Sequence, residues 1–191
     1  MHGGMHPLPL GEGLGLEEIH YTWENKMSLI EFAQTLNDSE LGTALRESIY
    51  AFPLLEGLHL IGLTFSVGLL IFIDLRLLGL FLKDTPVEDL LHPLRPWLLG
   101  GFVITITSGV VLFISEASKF ILLPVFFYKL VFIALAGVNA LYFEVKWGNN
   151  VKVWGTQSEL PKSVRLAGFA SLVLWSLVIV CGRLMPYLNY E

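Results

Sequence analysis

The sequence predicts an all-α integral membrane protein, a four-helix transmembrane bundle preceded by an amphipathic helix. Three observations predict it. Of 191 residues, 54% are hydrophobic and 15% are charged, where soluble domains average about 25% charged. The mean hydropathy is +0.64. The apolar residues collect in four runs, about residues 50–73, 96–115, 120–143 and 166–186, each near the ~20 residues that cross a bilayer as a helix. A chain so poor in charge cannot cover itself with polar surface, so lipid is its expected solvent and first partner.

In chain order, residues 1–27 read as an irregular extension rich in Gly and Pro. They lack the basic and apolar regions of a signal peptide. His2, His6 and His20 are scattered along this segment. Residues 28–49 read as one or two amphipathic helices. Ser28 followed by Glu31 is a capping-box pattern, and Leu29, Ile30, Phe32, Ala33 and Leu36 form one face. These helices are expected either on the outer membrane surface or docked on the loops of the bundle. The transmembrane domain fills residues 50–191. Its connections are RLLGLFLKDTPVEDLLHPLR, SEASK and EVKWGNNVKVWGTQSELPKSVR.

Basic residues orient the bundle. Connections one and three hold Arg76, Lys83, Arg95, Lys146, Lys152, Lys162 and Arg165. The opposite side holds Lys26, Arg46 and Lys119. Cytoplasmic loops carry the excess of Lys and Arg, so both termini are expected in the periplasm of a bacterial inner membrane. Trp97, Trp147, Trp154 and Tyr187 fall where aromatic belts form. The net charge of −5 argues against nucleic acid as a partner. Cys181, the only cysteine, has no intrachain partner for a disulfide.

The spans carry ionisable residues, and such residues are functional by default because a charge in hydrocarbon is costly. Glu56 and His59 share a face of the first span. His59 lies about 12 Å along it at 1.5 Å per residue. Lys129 in the third span and Arg183 in the fourth belong to the same half, and Glu116 closes the second span there. A structural account has Glu56 neutralising Lys129 or Arg183, with His59 hydrogen-bonded to Ser108 or Thr105. A functional account is a b-type haem: His59 as axial ligand, Arg183 and Lys129 near the propionates, and Met185 or His20 as second ligand. His92 lies on the far side. Glu56 and His59 also have the Glu-x-x-His spacing of di-iron bundles, although only Glu116 is nearby as a further carboxylate.

On the cytoplasmic side, Asp74 with Arg76, Arg95 or Arg165 reads as an ion-pair set fixing helix ends. Asn139, amid Ala136, Gly137 and Ala140, reads as close packing with one interhelical hydrogen bond. No arrangement for nucleophilic catalysis and no phosphate-binding loop stands out.

The stretches RESIYAFPLLEGLHLIG, DLRLLGL, FFYKLVFIALAGVNALYF and GRLMPY resemble an uncharacterised bacterial family of four-helix membrane proteins, over roughly residues 28–188. A looser likeness extends to four-helix b-type cytochromes and the copper-resistance D family. The first implies the fold and the second a haem- or copper-linked role. The expected function is a cofactor-holding electron-transfer subunit that associates with other membrane subunits or with itself. A small transporter using the buried charges and a purely structural subunit are the alternatives.

Overall fold

A computed structural model describes residues 27–156 and 160–188. The irregular extension, with His2, His6 and His20, lies outside the described residues. Within them the chain is helical and contains no strand. Residues 27–37 form α1, and α2 follows at Glu40–Glu47. Four long helices come next: α3 Ala51–Leu77, α4 Val87–Ser115, α6 Pro124–Lys146 and α8 Lys162–Leu188. A short helix, α5 at Ala117–Phe120, joins α4 to α6. Another, α7 at Val151–Trp154, lies between α6 and α8.

The long helices have 27, 29, 23 and 27 residues, against the ~20 that cross a bilayer. Most of their surface is apolar and uncovered: Leu54, Ile106, Val138, Leu141 and Leu166 are all exposed. Water would not tolerate so continuous a surface, whereas hydrocarbon matches it. The end of the bundle bearing α1 and α2 is here the terminal end, and the opposite end is the loop end.

Two antiparallel hairpins make the bundle. Helix α3 packs on α4, and α6 on α8. The first pair is close because small residues face each other. A Cβ on Gly62 would stand 2.7 Å from Thr105 Oγ1, and one on Gly101 would stand 2.6 Å from the Ser66 amide nitrogen. The spacings Gly62-x3-Ser66 and Gly101-x3-Thr105 are those of membrane helices in close approach.

Helix α3 is not uniform. Thr64–Gly68 forms a π-helical turn. Before it, α3 packs on α4; after it, Leu69–Leu77 packs on α8 as well as α4. The helix stops at Gly79, whose φ of 71° is cheap only for glycine. Leu80 N–H then donates to Leu75 C=O at 3.0 Å and Gly79 N–H to Arg76 C=O at 3.0 Å, closing the helix end.

Two expectations need correction here, and one open alternative is decided. Helix α4 starts at Val87, nine residues before the expected span, and contains Pro93 and Pro96. Its early turns are needed in a core at the loop end, where Leu90, Leu91, Leu94 and Leu98 pack on Ile73, Leu77, Val87, Trp154, Leu160 and Val164. Trp154 is only 5% exposed, so it belongs to this core and not to a lipid-facing belt. Its Nε1 donates to Trp147 C=O at 2.9 Å. The short helix α2 docks on the bundle: Arg46 donates to Ser115 C=O at 3.2 Å and also to Asn37 C=O. Docking leaves Met27, Leu29, Phe32 and Leu41 exposed, so these helices keep an apolar face as well.

Candidate functional site

His59 sits on α3 about 12 Å from the helix start at Ala51, at 1.5 Å per residue. It faces α4 across a gap opened by glycine. A Cβ at Gly109 would stand 3.1 Å from His59 Cε1, so a side chain there would press the ring back by a few tenths of an ångström. His59 Nδ1 is 2.9 Å from Ser108 Oγ. The Ser108 hydroxyl has a single hydrogen, which it donates to Ile104 C=O at 2.6 Å. With that hydrogen turned to the α4 backbone, the Ser108 oxygen can accept from His59 Nδ1. Both expected partners meet the ring, Ser108 through its hydroxyl and Thr105 through its backbone.

Lys129 on α6 lies about 8 Å from its helix start by the same measure. It is half-buried. Its Nζ lies beside Gly182 of α8, where a Cβ would stand 3.5 Å away, an ordinary contact distance. It lies within electrostatic reach of His59 and Cys181. Among the described residues no carboxylate comes within 4.0 Å of it. The hairpins meet through aromatic rings, Phe102 on Trp175 at 5.1 Å and Phe113 on Phe126 at 5.1 Å.

The remaining terminal-end residues stand apart from this pair. Glu56 is exposed and, among the described residues, forms no ion pair with Lys129 or Arg183. The reason is packing. This part of α3 lies on α4, whose facing positions Thr105 and Ser108 carry no cation, while Lys129 and Arg183 belong to the other hairpin. Glu116 is drawn off by Lys119, its own neighbour at i+3, at 2.5 Å. Arg183 is exposed and lies over the Tyr187 ring, 5.6 Å from its centroid. Met185 and Cys181, one turn apart on α8, are both 7% exposed. Among the described residues no three of His, Cys, Asp and Glu converge on a metal position, so the di-iron spacing gains no supporting ligands.

At the loop end the expected ion-pair set is divided. Asp74 is 3% exposed and, among the described residues, no Lys or Arg nitrogen lies within 4.0 Å of its carboxyl. Arg76, two positions on, points elsewhere, as i and i+2 must on a helix. Its Nε donates to Thr85 C=O at 2.7 Å. Arg95 pairs with Glu144 at 2.8 Å, and Arg165 is exposed. Asn139 Nδ2 donates to Ala167 C=O at 3.0 Å, the interhelical bond that ties α6 to α8.

Two features escaped the sequence reading. One is the close approach of Gly62 and Ser66 to Gly101 and Thr105, although its four-residue spacing was visible. The other is Gly109 beneath His59, for which nothing in the sequence gave a signal.

The class these observations define is an all-helical protein with four helices of membrane-crossing length, carrying ionisable side chains within them. The chain belongs to the family of unknown function DUF6644, matched over residues 29–188. No curated protein and no solved structure matches it.

Proposed function

We propose that this chain is a multi-pass bacterial inner-membrane protein that holds a b-type haem through His59 Nε2 and serves electron transfer in a larger membrane complex. One observation carries the reading. Ser108 lies 2.9 Å from His59 Nδ1 with its own hydrogen turned to Ile104 C=O, an arrangement in which Nδ1 donates to Ser108 and Nε2 serves the iron. A ligating histidine donates its other ring N–H to an oxygen in this way. Gly109 fits the same account by leaving space beside the ring on α4. Lys129, a cation with no carboxylate partner among the described residues, suits a propionate. Met185 is a buried thioether at the same end and is the residue of this chain that would supply a second ligand to the haem. Arg183, turned along its own helix, drops out of the propionate role. When bound, haem supplies one-electron exchange; the residues hold it, orient it and exclude water.

The test is a reduced-minus-oxidised spectrum of protein expressed with ample haem. Wild type should show a Soret band, and His59→Ala should lose it while still inserting, because insertion rests on the apolar spans. Ser108→Ala should keep the band and raise the midpoint potential, because the imidazole loses the acceptor that makes it more basic. A wild-type protein without a Soret band would refute the haem reading. The transport alternative would then lead, since an unpaired cation within a span marks ion and substrate pathways.

A further inference from the structure

The loop-end half holds a second polar centre that the haem reading does not use. Asp74 Oδ2 is buried and has no hydrogen-bond partner among the described residues, within a side chain only 3% exposed. The charged groups around it are committed or turned away. Arg76 serves Thr85 C=O and lies within electrostatic reach of Asp84. On α4, Arg95 is paired with Glu144 and His92 is exposed. On α8, Arg165 is exposed, and the group that faces the carboxyl is the Ser171 hydroxyl. Ser171 is itself 7% exposed. Nearby, Gly168 brings α8 close: a Cβ there would stand 3.2 Å from Asp74 C=O. The amide that α6 contributes, Asn139, spends Nδ2 on Ala167.

A bare carboxylate in so apolar an interior is strongly disfavoured unless something neutralises it. Among the described residues no cation stands against it, and the close helix contact leaves no room for a large one. We propose that Asp74 is the carboxylate of a small-cation site between α3 and α8, taking a proton or a sodium ion at Oδ2 with Ser171 Oγ as the neighbouring oxygen. The site is separate from His59: Asp74 is fifteen positions further along α3, about 22 Å at 1.5 Å per residue.

The test uses the purified full chain in detergent with dicyclohexylcarbodiimide. This apolar reagent adds to a carboxyl that carries its proton, and the adduct rearranges to an N-acylurea without a leaving group. Peptide mass mapping should place one adduct on Asp74, absent in Asp74→Asn and distinct from any on the exposed Glu56. Sodium is then compared with choline at equal ionic strength. If sodium suppresses the adduct and raises the wild-type melting temperature, the cation is sodium. If the adduct forms equally in both, the cation is the proton. A wild-type protein with neither adduct at Asp74 nor sodium-dependent melting overturns the proposal. An equal sodium effect in Asp74→Asn does so as well. These readings need no haem, so they stand or fall apart from the Soret band.

Discussion

Glu56 and His59 lie one turn apart on the same helix, and their fates differ because the bundle is covered unevenly. His59 reaches the Ser108–Gly109 step of α4, whereas Glu56 stays exposed. That His59 is a bundle residue was legible, since an imidazole in a span turns inward. The absence of a Glu56–Lys129 pair was not legible, because helical period assigns a face without naming the helix that covers it. The same limit applied to Asp74 and Arg76, which the sequence places two residues apart but which have separate surroundings. These geometries separate two substitutions. Gly109→Val should push the His59 ring from its place, where a Cβ alone would stand 3.1 Å from Cε1, and haem retention in purified protein should fall. Glu56→Gln should leave both haem content and melting temperature close to wild type, within about 0.5 kcal/mol, as for an exposed position without partners.

At the scale of the element, all four spans were legible, because apolar runs of this length have few other uses. Their ends were less so. The second span was expected to begin at Pro96, yet the helix runs through both Pro93 and Pro96 from Val87, as helices bedded among neighbours tolerate. The closeness of α3 and α4 rests on glycine, and adjacent glycines test it. Gly101→Ala would drive a Cβ to 2.6 Å from Ser66 N and 2.9 Å from the Phe65 carbonyl carbon, backbone atoms that cannot step aside. Overpacking of this kind costs about 1–3 kcal/mol. A Cβ at Gly100 meets nothing within 4 Å, and alanine there should be neutral or gain up to about 1 kcal/mol from helix propensity. Thermal melting of the two variants in detergent should move them in opposite directions. Equal shifts would mean that α3 and α4 are not in close approach.

At the scale of the whole molecule, the basic residues still distinguish the ends. Lys83, Lys146, Lys152, Lys162 and Arg165 all belong to the loop end, beside Trp154 and the core it closes. A periplasmic reporter fused after Glu191 should be active and one at Lys83 silent; the reverse pattern would invert the bundle in its membrane. What composition could not convey is the arrangement of hairpins, because aromatic pairs such as Phe102–Trp175 become neighbours only once both hairpins are folded. The π turn at Thr64–Gly68 has one more consequence. Each residue of an α-helix advances the chain by about 100°, 3.6 to the turn, and a π turn absorbs an extra residue without turning the segments that flank it. Helix α3 therefore carries one residue of slack at that place. Deleting the exposed Thr64 should return the turn to ordinary helix, with His59 still toward α4 and Asp74 still toward α8. Deleting the equally exposed Phe72, where no slack exists, should swing Ile73, Asp74 and Leu77 by about 100° and abolish the folded protein in a detergent melting assay. The first span should thus accept a shorter sequence at one turn and refuse it two turns later.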